Sequence, residues 1–292
     1  MSCNVEFLPV ILSLVSALLF AAGIQLARLG LEHTDTPTAT LTQIGAATMI
    51  YWGAAPFFVE AHYWTSPAVI LLAAIGLFRP FLSASLSLAG TRLLGPTLSS
   101  TLSSTAPLFG VALGYLALGE GLSAPVLIGA GGIMAGVACL SWKGDVQRAW
   151  PLWALGLPAG AALLRTLAQM FAKIGMEDIP SPFFVGLVGY SVSLTIALLT
   201  TLKRARRSPA PLWTQGSKWL VCTGLCYGVA ILSLNTALLC GDLVVVSPIA
   251  ASAPLFSLLL GRLVFRERAI NRRVIFAVLL VVPGVALIAF TS

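Results

Sequence analysis

The sequence predicts an all-α integral membrane protein, with ten transmembrane helices arranged as two inverted five-helix repeats around a central cavity. Three observations predict it: an apolar composition, a phrase that occurs twice, and the spacing of the hydrophobic runs. Hydrophobic residues make up 58% of the chain and charged residues 9%, against about 25% charged in a soluble domain. Mean hydropathy is +0.96. Residues 106–120 read APLFGVALGYLALGE and residues 253–267 read APLFSLLLGRLVFRE. Both fit A-P-L-F-x3-L-G-x-L-x3-E at an offset of 147 residues (253 minus 106), about half of the 292-residue chain.

Weaker echoes follow at offsets of 145 to 146 residues, a drift that small loop insertions explain. Ala27–Glu32 (ARLGLE) answers Ala172–Glu177 (AKIGME), Thr36-Pro37 answers Ser181-Pro182, and Leu86-Ser87-Leu88 answers Leu232-Ser233-Leu234. A fixed long period governs the whole fold reading. The first repeat is therefore placed at residues 1–145 and the second at 146–292. In a membrane chain, duplicated halves point to a site between them, as in transporters.

A membrane span needs about 20 mostly apolar residues. Ten stretches meet that need: 7–28, 39–59, 67–90, 95–117, 123–142, 150–172, 182–202, 217–240, 243–264 and 273–291. The first is read as a retained helix and not a signal peptide, because Met1–Val5 carries no Lys or Arg. Connections are short apart from the basic stretch 203–218.

Five spans per repeat is an odd number, so the second copy enters the membrane from the opposite side. Orientation follows the basic residues. Fourteen of the seventeen follow spans 1, 3, 5, 7 and 9, Lys173 alone lies on the other side, and Arg79 and Arg165 fall inside spans. This bias places the fourteen in the cytoplasm and both termini outside. The net charge of +7 is then mostly topology, with a secondary attraction to anionic lipid, and no nucleic-acid partner is inferred from it.

Polar residues inside the apolar spans are the candidates for function. In span 3, Arg79 is placed on an i, i+4, i+8 stripe with Ser83 and Ser87; in span 6, Arg165 shares a stripe with Gln169. A charge in the bilayer faces a partner or water, and no Asp or Glu lies deep in any span. One reading is that the guanidinium groups await a substrate carboxylate or phosphate, which they can grip bidentately. The other is snorkelling, or a structural bond to helix-end carbonyls.

Span 4 is dense in hydroxyls, among them Ser103 and Ser104, and span 9 carries Ser252. Pro107 and Pro254 fall near the middle of these two spans and are expected to bend them, freeing the carbonyls of Ser103 and Ala250. Such breaks survive in hydrocarbon only where neighbours or cavity water satisfy them. The two spans are therefore read as facing the interior, either lining a cavity or gluing helices together.

Tyr227 and Asn235 form a polar patch on span 8. Trp153 and Phe20 are either pocket walls or core aromatics. Glu120 and Glu267, at opposite ends of spans 4 and 9, suit capping or interhelical ion pairs better than transport chemistry. Gly129, Gly131, Gly132 and Gly136 suit close helix packing in span 5.

The five cysteines show no metal-ligand or paired spacing. No H-E-x-x-H, G-x-S-x-G or Walker-type glycine loop is present. The sequence therefore gives no reason to expect an enzyme, a resident metal or a cofactor.

Two five-helix repeats, each closing with P-L-x(n)-L-G-x(n)-E before a glycine-rich helix, resemble the EamA-type transporters of the drug/metabolite transporter superfamily. Within it the chain is most similar to bacterial exporters of aromatic and other neutral amino acids. The resemblance implies a ten-helix basket in the bacterial inner membrane, its cavity lined by spans 1, 3, 4, 6, 8 and 9 and braced by spans 5 and 10. It also implies alternating access, export of amino acids or similar small metabolites, and function as a monomer in the bilayer. The intramembrane arginines keep a second expectation open: a transporter or exchanger of organic anions or sugar phosphates.

Overall fold

The computed structural model describes residues 7–94, 99, 102–141, 151–205, 214–265 and 272–290, and regular structure among them is entirely helical. The first half holds α1 (Leu8–Leu31), α2 (Thr36–Phe58), α3 (Ala68–Gly76), α4 (Ser83–Leu94), α5 (Ala106–Leu118) and α6 (Ala124–Ser141). The second holds α7 (Gly156–Asp178), α8 (Pro182–Ala205), α9 (Ser217–Cys240), α10 (Leu243–Ala250), α11 (Ala253–Phe265) and α12 (Arg272–Ala289).

Five apolar segments are individually long enough to cross a membrane: Leu8–Leu31, Trp153–Asp178, Pro182–Lys203, Ser217–Cys240 and Leu243–Gly261. Four shorter apolar helices accompany them: Ala68–Arg79, Ala106–Leu118, Ala124–Cys139 and Ile275–Ala289.

Two expected spans come out shorter because their helices are broken. A π-type turn over Leu77–Leu82 separates α3 from α4. Ahead of α5 the chain turns at Ser104 and Thr105. The equivalent turn falls between α10 and α11 at Ala251 and Ser252, 147 residues later (251 minus 104).

The same bonds repair both of these breaks. The Thr105 amide and hydroxyl donate to the Leu102 carbonyl at 3.2 and 2.7 Å. The Ser252 amide and hydroxyl donate to the Ile249 carbonyl at 3.0 and 2.6 Å. This corrects the expected bend: Pro107 and Pro254 do not interrupt a running helix but occupy the first turn of a new one. There a missing N–H leaves no carbonyl unpaired.

The halves are interlocked. The most extensive packing joins elements of opposite halves: α1 with α9, α6 with α12, α2 with α8 and α9, and α5 with α7 and α10. The pattern is two-fold. Where α1 meets α9, its counterpart α7 meets α3 and α4; where α2 meets α9, its counterpart α8 meets α3.

At the α6–α12 contact the backbones touch. A Cβ on Gly129 would lie 2.6 Å from the Gly284 carbonyl oxygen, and one on Gly284 would lie 2.7 Å from that of Gly129. Here the small residues of the fifth expected span allow close approach. The cysteines need one correction. Cys139, Cys222 and Cys226 are free, whereas Cys240 is disulfide-bonded, and none of the three is its partner.

Candidate functional site

The site begins with a backbone irregularity. Arg79 has φ −142° and ψ 132°, extended values inside an otherwise helical run. Pro80 follows it, and a proline ring disfavours the helical region for the residue before it. The carbonyls this loosens are taken up from the other half: Ser193 Oγ, fully buried, donates to the Gly76 carbonyl at 2.9 Å and to that of Arg79 at 3.1 Å. The expected stripe from Arg79 through Ser83 to Ser87 does not form, because the helical register breaks at Arg79. Ser83 is buried and Ser87 half-buried on α4.

The extended residue puts its guanidinium among aromatic rings. Its carbon lies 5.4 Å from the centroid of the Phe20 ring, a cation–π arrangement. Phe20 meets Tyr227 at 5.6 Å between centroids. Tyr51 stacks on Tyr190 at 5.5 Å and donates its hydroxyl to the Gly228 carbonyl at 2.9 Å.

Tyr51, Tyr190 and Arg165 all lie within electrostatic reach of Arg79. Arg79 and Arg165 lie deep in the molecule, yet both keep accessible surface, as do Phe20, Gln169 and Tyr227. Both arginines thus combine a deep position with partial accessibility.

The electrostatics of this cluster are lopsided. Ion pairs among the described residues join His62 to Glu60 and Lys173 to Glu120 and Asp242; none of these involves Arg79 or Arg165. Two cationic side chains thus share the low-dielectric interior, and among the described residues no carboxylate pairs with either. One turn along α7 from Arg165, the buried Gln169 Oε1 has no hydrogen-bond partner among the described residues.

Other sequence candidates fall elsewhere or have local work. Asn235 is buried and donates to the Pro182 carbonyl at 3.3 Å, fastening α9 to the start of α8. Ser252 is spent on the helix break described above, Ser104 is buried in the equivalent turn, and Ser103 beside it is half-buried. Trp153 is 65% exposed before α7 and is no pocket wall. Glu267 lies outside the described residues.

Sequence reasoning missed Tyr51, Tyr190 and Ser193. The one signal that could have found this region is Pro80 directly after an intramembrane arginine.

The model of the EamA-like transporter family matches the chain twice, over residues 7–142 and 152–290. This chain belongs to the EamA-like transporter family. Within that family the duplicated phrases mark two copies of one family unit. A solved crystal structure is similar, with TM-score 0.77 and 18% sequence identity over 96% of this chain and 95% of its own; at that identity the likeness concerns the fold. No curated protein matches the chain. Family membership makes this a small-molecule transporter of the membrane.

Proposed function

We propose that the protein is an alternating-access transporter of small organic anions, compounds with a carboxylate or similar head on an apolar or aromatic body. The observation that carries the reading is the pair Arg79 and Arg165, deep, accessible and without a carboxylate among the described residues. An anionic head between them relieves their mutual repulsion and accepts charge-assisted hydrogen bonds. Phe20, Tyr227, Tyr190 and Tyr51 offer the body an aromatic wall.

In this reading the chain crosses the bacterial inner membrane ten times as two inverted halves, with both termini outside, and works as a single copy. The two-fold packing pattern and the matching helix breaks support inversion. The basic-residue bias supports the orientation. Export is the direction that the resemblance implies.

A second reading, export of neutral amino acids, is favoured by Gln169. Its unpartnered Oε1 would accept from a substrate ammonium while the arginines hold the carboxylate.

Calorimetric titration of purified protein separates the two readings. The anion reading expects phenylacetate to bind more tightly than phenylalanine, and Arg79→Gln or Arg165→Gln to weaken it about ten- to hundredfold, the worth of a hydrogen bond to a charged group. Tighter binding of phenylalanine supports the amino-acid reading. Equal binding of the uncharged phenylacetamide contradicts both.

A further inference from the structure

Two residues at the ends of the repeated phrases take no part in the arginine site, yet they meet across the seam. Glu120 closes the first copy of the long phrase, and Lys173 lies in the second copy of the short one, AKIGME. Lys173 Nζ donates to Glu120 Oε1 at 2.6 Å. The Leu243 amide donates to the same oxygen at 2.8 Å, and the Val244 amide donates to Oε2 at 2.8 Å.

Lys173 Nζ also donates to the Gly241 carbonyl at 2.9 Å and to Asp242 Oδ1 at 3.1 Å. Gly119, left-handed at φ 66°, ends α5 and turns the chain into Glu120. A carboxylate of the first half therefore caps α10 of the second half, where the helix dipole favours it. A lysine on α7 holds it there.

The chemistry of this contact suits repeated opening. It joins α5 to α7 and α10, elements of opposite halves, and α5 and α10 both adjoin a broken-helix turn. Its charges run from the nearly buried Glu120 side chain, 5% exposed, through Lys173 at 21% to Asp242 at 56%. Water thus already reaches one side. Charged groups that separate into water exchange one set of hydrogen bonds for another, whereas separation within a dry core would strand them.

We propose that Glu120 and Lys173 form a latch that closes this end of the seam and opens once in each transport cycle. The inference rests on the alternating-access reading above.

The test is a spin-label distance measurement across this end. Labels are placed on Gly121→Cys in the first half and Pro180→Cys in the second, both exposed positions, with Cys139, Cys222 and Cys226 replaced by serine. The wild-type latch should give a short distance and a longer minor population. Glu120→Gln and Lys173→Met should raise the long-to-short ratio roughly tenfold, matching loss of one charge-assisted bond. Lys173→Arg should leave the ratio near wild type.

If Lys173→Met does not fold, Asp242→Asn removes only the exposed negative charge and should move the ratio less, in the same direction. Two populations in the wild type that ignore these substitutions overturn the latch alone. One unchanging distance in the wild type and every variant overturns the alternating-access reading itself.

Discussion

Arg79 owes its conformation to the residue that follows it. With Pro80 in place the helical region is disfavoured at position 79, the chain extends, and the guanidinium reaches the face of Phe20. Pro80→Ala removes that constraint and lets α3 run on into α4. We expect phenylacetate affinity to fall as far as in Arg79→Gln, while the melting temperature holds or rises; calorimetry and thermal unfolding check the two halves of this expectation.

Ser193 bears on the same break from the opposite side. Ser193→Ala leaves the Gly76 and Arg79 carbonyls without their hydroxyl donor, a loss of about 1–3 kcal/mol for buried groups left unsatisfied. The protein should melt at lower temperature. Arg79→Lys is not a conservative change here, because an ammonium lacks the planar fork that grips a carboxylate and stacks on a ring.

At the scale of elements, the duplicated phrase specifies more than a helix. Each copy begins a new helix at Ala-Pro, and the residue just before it, Thr105 or Ser252, donates its hydroxyl three residues back to hold the turn. The repeat was legible in the residues alone, and so were the helical segments, because apolar runs and a near-constant period are one-dimensional signals. The breaks were half legible. A proline in an apolar run reads as a bend within a helix, and only the fold shows that the preceding helix has already stopped.

The aromatic side of the site was not legible. Tyr51 and Tyr190 look like ordinary span residues until α2 and α8 are brought together, and no pattern within either helix announces the pairing. Glu120 was read as a cap or half of an interhelical ion pair, but its partner Lys173, 53 residues away in the chain, was not legible for the same reason.

The close packing of the glycine-rich helix α6 was legible in its residues, and its partner α12 came only from the family resemblance. Gly129→Val would drive a branched side chain into the Gly284 carbonyl, for which the backbones must separate. We expect a loss of about 1–3 kcal/mol, the usual scale of overpacking, read as a lower melting temperature in detergent. Phenylacetate affinity should stay near wild type in the folded fraction, since α6 and α12 stand outside the arginine site.

At the scale of the whole molecule, the halves trade partners. Most of the close packing runs between copies, so neither copy buries its own apolar faces alone. That arrangement leaves a seam, at which the deep but accessible Arg79 and Arg165 lie. In the proposed transport cycle the arginines give the site its sign, the broken helices beside it supply turns about which segments move, and the Glu120–Lys173 contact holds one end shut.

The family match points to a membrane transporter of small molecules; the proposal that these are organic anions rests on Arg79 and Arg165. The most direct measurement is counterflow in proteoliposomes loaded with unlabelled phenylacetate and exposed to labelled phenylacetate outside. The account predicts a transient accumulation of label that wild-type protein supports, that Arg79→Gln abolishes, and that the charge-neutral phenylacetamide neither drives nor inhibits. Accumulation that survives the loss of both Arg79 and Arg165 would contradict it.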